Sequence, residues 1–266
     1  MIELGIPAAY AVLLWWFTTG VILFLDGLPR TTFRWSMAAA TAVLPGAVYV
    51  LRTSAAEAGV SGAYSAFSCA IVVWGWLEMS FLMGFITGPR KQPCTERCRG
   101  WRHFLHATQV IAYNEIATLI GAAGIVSATW NRPNPVALWT FLVLWSMRLS
   151  AKLNLYLGVP NSGEKFLPAH LLYLKGFFGK RPMNFLFPLS VSGATVVLVL
   201  LAQSYRAAND TFHSAGYALV GSLLALGLLE HWFMVLPLPS EKLWNWALRS
   251  GRGAGGVAAQ TRPNSA

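Results

Sequence analysis

The sequence predicts an all-α, polytopic bundle of about seven transmembrane helices, on two observations. Hydrophobic residues make up 55% of the chain and charged residues only 11%, and the mean hydropathy is +0.50. Several apolar runs are also long enough to cross a bilayer, which takes about 20 residues per helix. A soluble chain of 266 residues would need a charged surface that this composition does not supply. The composition therefore excludes an ordinary soluble domain.

Seven apolar runs can each satisfy their backbone hydrogen bonds as a helix inside the bilayer. The second run is the shortest and contains Pro45, which a membrane helix tolerates with a kink. We expect a transmembrane domain over residues 1–239, an interfacial helix over 240–250, and a tail over 251–266 whose composition predicts disorder. The spans are predicted near residues 4–25, 35–51, 63–86, 107–129, 136–157, 183–203 and 215–236.

Lysine and arginine are distributed unevenly between the two sides of such a bundle. With the amino terminus outside, in the periplasm, all but three of the 20 Lys and Arg residues fall on the cytoplasmic side. Those three are Arg52, Arg132 and Arg206, one in each outer loop. The positive-inside rule therefore predicts an odd number of spans and a cytoplasmic carboxyl terminus. The net charge of +10 is explained by basic loops beside anionic lipid, without a nucleic-acid partner.

Two cytoplasmic segments are expected to form short interfacial helices that lie on the membrane surface or dock a partner. The first follows Pro168 in "EKFLPAHLLYLKGFFGKRP", where apolar residues including Phe177 and Phe178 are flanked by lysines. The second is "SEKLWNWALRSG", in which Trp244 and Trp246 suit the headgroup zone. The lipid bilayer is thus an expected partner of both segments.

Ionisable residues inside the predicted spans form the candidate functional site. They come from four helices and are all predicted in the cytoplasmic half of the bilayer, where an unpaired charge costs a few kcal/mol or more. We therefore expect the acidic and basic members to pair. Adjacent helix positions point about 100° apart, so the last two residues of the set need not share a neighbour. The candidate cluster comprises Glu78, Glu115, Arg148, Lys152, Glu230 and His231.

Three interpretations of these residues remain open. Buried ion pairs can simply fix which helix packs against which, and Arg148 and Lys152 can extend to the interface. Alternatively, the cluster binds the polar head of a lipid-soluble ligand or moves protons. For His231, neutral imidazole also suits an iron or magnesium tetrapyrrole, which would make a haem or a related magnesium tetrapyrrole the cofactor. A hydrogen-bonded, helix-packing role is the alternative for that histidine.

Metal binding by other residues is not expected. Cys94 and Cys98 form a lone C-x3-C without a second pair, which is too weak a pattern for a zinc site. His103 and His106 share a helix face, and Glu115 lies further along the same segment. That grouping lacks the paired Glu-x-x-His motifs of di-iron bundles. The prediction is therefore no metal site.

Two blocks of the chain resemble a known family. They are "MRLSAKLNLYLGVPNSGEKFLPAHLLYLKGFF", Met147 to Phe178, and "LEHWFMVLPLPSEKLWNWAL", Leu229 to Leu248. In these blocks, and more weakly through most of the chain, the sequence resembles the PuhE-type photosynthetic complex assembly proteins of phototrophic purple bacteria. The resemblance carries no established active site. Four residues of the candidate cluster lie in the two blocks: Arg148, Lys152, Glu230 and His231.

The resemblance implies a multi-pass protein of the bacterial inner or intracytoplasmic membrane. Its implied role is to assist assembly of the reaction centre and light-harvesting complex, or bacteriochlorophyll supply to that assembly. Reaction-centre subunits, light-harvesting subunits or pigment-synthesis enzymes would be the partners. Two alternatives stay open: a membrane enzyme that acts on a lipid-soluble tetrapyrrole or isoprenoid, with a cluster carboxylate or His231 moving protons, and a transporter. Against a transporter, no inverted repeat is evident.

Overall fold

The computed structural model describes residues 2–94, 98, 100–164, 167–236 and 240–247. Within them the secondary structure is helical and contains no strand, so the all-helical prediction is confirmed for this part of the chain. The predicted disordered tail, 251–266, lies outside the described residues. Seven long helices follow one another: α1 (Ile2–Asp26), α2 (Phe33–Ser54), α3 (Val60–Leu82), α4 (Gly100–Thr129), α5 (Val136–Leu157), α6 (Leu186–Ala207) and α7 (Thr211–Val235).

Six of these helices are long and apolar enough to cross a membrane, which fits a multi-pass membrane protein. The exception is α2, a helix of 22 residues that contains Pro45 and carries Arg34 and Arg52 near its ends. Its role as a seventh span stays a prediction, as does the orientation of the bundle. Helix α4 begins at Gly100, earlier than the predicted 107, and its 30 residues extend about 45 Å. Its first turns therefore reach beyond a hydrocarbon core about 30 Å thick.

Helix α3 occupies the centre of the bundle, in contact with α1, α2, α4, α5 and α7. Helix α7 packs on α1, α3, α5 and α6. Small residues such as Ala63, Ala66 and Ala70 are fully buried on α3, which lets neighbouring helices approach closely. Phe67 and Phe141, also fully buried, fill the space between α3 and its neighbours. The core thus follows membrane-protein packing, with small residues at helix contacts.

The loops gather at two ends of the bundle. We call the end that carries residues 27–32, 83–94, 98, 158–164, 167–185, 236 and 240–247 the basic end, because seven Lys and Arg residues lie in these described loops and only Arg132 lies in the described loops of the other end. The opposite end carries residues 55–59, 130–135 and 208–210. At the basic end, His170 contacts both the Leu82 carbonyl and the Phe33 ring. The loop that carries His170 therefore lies against the end of α3 and the start of α2.

The loop after α3 runs back along α4. The backbone N–H of Asn114 donates to the Thr87 carbonyl at 2.9 Å, and Gly88 lies directly against the backbone of Gln109 and Val110. A Cβ atom at position 88 would collide with that backbone, so only glycine permits the close approach. One face of the first half of α4, which includes Val110 and Asn114, is consequently covered by this loop.

Both segments expected on the membrane surface form 3₁₀ helices that pack onto the bundle. Ala169–Phe177 buries Leu171, Leu174 and Phe177 against α3 and α4. Ser240–Trp244 places Trp244, which is 5% exposed, beside Trp15 of α1. Leu171, Leu174, Phe177 and Trp244 therefore face the protein interior, whereas Leu172, Leu243 and Trp246 are exposed. Proximity of these segments to a membrane surface remains a prediction.

Candidate functional site

A cavity of about 460 Å³ lies inside the half of the bundle nearest the basic end. Its walls come from α1, α3, α4, α5 and α7, and they are mainly aromatic and aliphatic. Residues 167–178, which we call the roof, close it at the basic end through Leu167, Leu174, Phe177 and Phe178, and Trp244 closes it beside α1. This volume lies within the range of about 300–1,000 Å³ typical of small-molecule sites.

The first polar feature of the cavity is an ion pair between α3 and α5. Arg148 Nη2 lies 2.7 Å from Glu78 Oε2, and the two side chains are 39% and 15% exposed. The Arg148 Nε atom is buried and has no hydrogen-bond partner among the described residues. The pair therefore holds two helices together while leaving one donor unused beside the cavity.

A second ion pair lies one helical turn further along α5. Lys152 Nζ donates to Glu115 Oε1 at 2.7 Å and to Asn114 Oδ1 at 3.0 Å, both on α4. The same ammonium group lies 5.4 Å from the centre of the Phe81 ring, within cation–π range. Lys152 is thus held by three neighbours. Its role in connecting α4 to α5 is explained without a ligand.

Glu230 is the carboxylate of the set without a counter-ion. No hydrogen bond or ion pair joins it to another residue in the described ranges, although Glu78 and Arg148 line the same cavity. Glu230 lines the cavity wall and is an exposed residue rather than a buried one. A carboxylate held in this way can accept hydrogen bonds from a bound molecule or exchange a proton with it.

His231 points elsewhere, as the 100° between adjacent helix positions allows. It is 1% exposed. Its Nδ1–H donates to the Gly227 carbonyl at 2.9 Å, so the Ser150 hydroxyl donates to Nε2 at 2.8 Å. Asn154 continues this polar seam by donating to the Ser150 carbonyl and to Ser190. Both ring nitrogens are engaged, so a tetrapyrrole-ligand role for His231 requires Ser150 to rotate away and stays a prediction.

The roof is fixed by polar contacts as well as by apolar burial. The His170 Nε2–H donates to the Leu82 carbonyl at 2.7 Å, and burial lowers the pKa of His170 below its usual value. At the roof's exposed edge, Lys175 lies 3.1 Å from Glu164, whose pKa is lowered chiefly by that contact. Phe177 is 5% exposed, so it packs within the protein rather than on a partner. The roof is therefore an integral part of the cavity wall.

The cysteines and histidines of the basic end are arranged differently from the grouping considered in the sequence. His106 Nδ1 lies 3.3 Å from Cys94 Sγ and 3.1 Å from Cys98 Sγ, and the two sulfurs are paired as a disulfide. His103 instead stacks between Tyr156 and Phe177. Glu115 is engaged with Lys152, so the grouping of His103, His106 and Glu115 is not assembled.

Comparison with known proteins places this bundle in a family. The family model described as "Protein of unknown function (DUF3623)" matches residues 1–254. The chain belongs to this family. A relative from Rhodobacter capsulatus, "Uncharacterized 30.4 kDa protein in puhA 5'region", is 37% identical over 247 residues, covering 91% of this chain and 90% of the relative. No solved structure matches the chain.

Sequence reasoning missed two polar partners of the cavity residues and one contact outside the cavity. Ser150 and Asn114 read as ordinary helix residues, although each binds a member of the cluster. Both lie four residues or fewer from a charged cluster member on their own helix, which was an available signal. The third miss is His106, which follows Cys98 by eight residues and meets both cysteines. The spacing Cys-x3-Cys-x7-His could have indicated that grouping.

Proposed function

We propose that this protein is an integral membrane factor that assists assembly of the photosynthetic reaction centre and light-harvesting complex, or supplies bacteriochlorophyll to it. The resemblance to PuhE-type assembly proteins supports this role. So does the relative named for its position in the puhA 5′ region. The bacterial inner or intracytoplasmic membrane, with the basic end toward the cytoplasm, is the proposed location.

The single observation that carries a ligand-handling version of this role is the cavity. Its apolar walls suit a hydrocarbon or macrocyclic body, and the free Glu230 carboxylate and unused Arg148 Nε suit a polar group. We infer that a bacteriochlorophyll, one of its precursors or another lipid-soluble molecule with a polar group binds here.

A second function is favoured by Glu230 in particular. A carboxylate in an apolar cavity, without a counter-ion, can serve as a general acid or base toward a bound molecule. An enzyme that acts on a lipid-soluble tetrapyrrole or isoprenoid would use the same cavity. This alternative predicts that a bound compound is chemically changed during turnover, whereas an assembly factor releases it unchanged.

The test is purification from a phototrophic host in mild detergent, followed by an absorption spectrum, pigment extraction and mass spectrometry. We expect a tetrapyrrole or other lipid-soluble compound in fixed proportion to the protein. Ala151→Phe should abolish it, because Ala151 lines the cavity. Ala112→Phe is the matched control, since Ala112 is similarly half-buried but does not line the cavity.

Three results would count against the proposal in different ways. A colourless, ligand-free protein that still co-purifies with reaction-centre subunits would remove the ligand but retain the assembly role. A compound retained equally by Ala151→Phe and Ala112→Phe would show that binding takes place outside the cavity. Normal photosynthetic complexes in a strain that lacks the protein would overturn the assembly role itself.

A further inference from the structure

A cluster of two cysteine sulfurs and an imidazole lies outside the cavity and has no part in the function proposed above. Its ligand atoms are Cys94 Sγ, Cys98 Sγ and His106 Nδ1, all within 4.8 Å of one another. Cys94 and Cys98 belong to the loop between α3 and α4, and His106 lies in the second turn of α4. Three donors from two separate elements therefore converge on one point.

The loop that carries Cys94 is held in place by contacts other than the sulfurs. Arg90 donates from Nε to the Gln92 carbonyl at 3.3 Å and from Nη2 to the Pro93 carbonyl at 3.2 Å. On its other side, Pro93 lies so close to the roof that a Cβ atom at Gly176 would be 3.1 Å from the Pro93 Cβ. The approach to Cys94 is thus fixed by the surrounding protein. A preorganised donor set of this kind favours ion binding over chance proximity.

The chemistry of the donors selects the class of ion. Thiolate sulfur and neutral imidazole together suit Zn²⁺ and similar thiophilic divalent cations, and do not suit Mg²⁺ or Ca²⁺, which take oxygen ligands. Three protein ligands with a fourth position for water or an added ligand is a known zinc arrangement. The two sulfurs are bonded to each other as a disulfide in the structure, so they must separate before both can bond to one ion together with His106 Nδ1.

We propose that Cys94, Cys98 and His106, in the reduced protein, form a binding site for a thiophilic divalent cation such as Zn²⁺. The cation replaces the two thiol protons and bonds to the two thiolates and to Nδ1 of neutral His106. The disulfide is the competing state, and the two exclude each other. A dithiol reductant converts the disulfide to two thiols, giving two electrons and two protons and becoming a disulfide itself. The predicted cytoplasmic position of the basic end favours the reduced state.

The location gives the site a structural consequence. Cys94 packs against the apolar cluster of Phe81, Val110, Leu171, Leu174 and Phe177 that holds the roof on α4. A cation bound there fixes the loop between α3 and α4 to the first turns of α4. It therefore stabilises the contact on which the roof rests.

The experiment is metal titration of the full-length protein in detergent, reduced with a phosphine and purified without a histidine tag. Zn²⁺ is quantified by elemental analysis, and Co²⁺ is followed by its thiolate charge-transfer absorption. We expect one ion per protein and the charge-transfer band. Cys94→Ser and Cys98→Ser should lose both, and His106→Gln should bind Co²⁺ more than about tenfold more weakly, because even changes outside the ligands cost roughly 10–100-fold.

Cys69→Ser is the matched control, since Cys69 is a buried residue of α3 and lies outside the cluster. It should bind as the unchanged protein does. The proposal is overturned if the reduced protein binds no more Zn²⁺ than the Cys94→Ser/Cys98→Ser double variant. A Co²⁺ spectrum unchanged by His106→Gln would equally overturn the assignment of the third ligand. Elution of each variant as a monodisperse species shows that it is folded.

Discussion

Two polar regions at opposite ends of the bundle differ in how many hydrogen-bond partners their polar groups have. At the opposite end, Asn134 is fully buried. Its backbone N–H donates to the Ala55 carbonyl, its Nδ2 donates to the Ser54 carbonyl, and its Oδ1 accepts from the Val136 N–H. Toward the basic end, Glu230 has no partner in the described chain and Arg148 Nε is unused.

This difference is the basis for assigning Asn134 a structural role and for proposing a functional role for Glu230. A buried amide whose donor and acceptor both have protein partners stabilises the contact between residues 55–59 and 130–135. It has no free polar atom with which to bind a ligand. An unsatisfied buried donor beside an unpaired carboxylate costs stability, and such a cost is typical of binding and catalytic sites. The Lys152–Glu115 pair lies between these extremes, because it is near the cavity yet fully engaged.

The largest expected effect is on stability at the satisfied end. Asn134→Ala removes two hydrogen bonds, which leaves the Val136 N–H buried without a partner and the Ser54 carbonyl with only the Glu57 N–H. An unpartnered buried donor costs about 1–3 kcal/mol and a lost hydrogen bond about 0.5–1.5 kcal/mol, so the free energy of unfolding should fall by about 2–4 kcal/mol. Reversible unfolding in mixed detergent micelles measures the change.

Asn131→Gly is the control for that experiment. Asn131 lies in the same loop, is exposed, and has a φ of 52°, a conformation that glycine adopts without strain. Its free energy of unfolding should change by no more than about 0.5 kcal/mol. Equal changes in Asn134→Ala and Asn131→Gly would show that the buried amide is not a structural anchor.

An intermediate effect is expected for Lys152→Met. The change leaves Glu115 without its cation in a position where the two side chains are only 18% and 22% exposed. Fully buried pairs broken on one side lose about 3–5 kcal/mol, and partial exposure reduces this to about 1–3 kcal/mol. The double variant Lys152→Met/Glu115→Gln should regain part of the loss, with a coupling energy of about 1–2 kcal/mol. Strict additivity of the two single changes would contradict the pairing.

The smallest stability effect is a pH dependence of the roof. Because burial lowers the pKa of His170 in the folded state, the unfolded chain binds a proton more readily below pH ~6.5. Stability should therefore be complete above that pH and decline as the pH falls toward the folded-state pKa. His170→Gln can still donate to the Leu82 carbonyl but does not titrate. Melting temperatures between about pH 7.5 and 5 should decline more steeply in the unchanged protein, and parallel curves would exclude His170 as the cause.

The helical pattern was readable from the sequence because the bilayer demands long apolar runs with internally bonded backbones. The start of α4 was less readable, since Arg102 and His103 fall outside any apolar window although they continue the helix. The burial of one face of the roof was unreadable for a related reason. An apolar face, such as that of Leu171 and Phe177, indicates that something covers it, and sequence does not distinguish a membrane from the protein's own interior.

Four of the six candidate residues, Glu78, Arg148, Lys152 and Glu230, line the cavity, whereas Glu115 and His231 do not, and a function for the set stays a prediction. Depth along a helix follows from position, which is why the sequence groups the six residues in one cluster. Which carboxylate meets which cation depends on helix rotation and side-chain rotamers, so the partnership of Arg148 with Glu78 rather than Glu230 could not be predicted. The contact of His106 with Cys94 and Cys98 depends on the path of a loop that has no periodic pattern.

The most direct test of a functional Glu230 is its replacement by glutamine in a phototrophic host. Protein abundance would be measured by quantitative immunoblot and assembled photosynthetic complexes by their near-infrared absorption, with Asn134→Ala as the structural comparison. The account predicts that Glu230→Gln keeps abundance nearly unchanged while assembled complexes decrease, whereas Asn134→Ala lowers both together. Normal complexes in Glu230→Gln, or a fall in its abundance that matches the fall in complexes, would contradict a functional role for the cavity carboxylate.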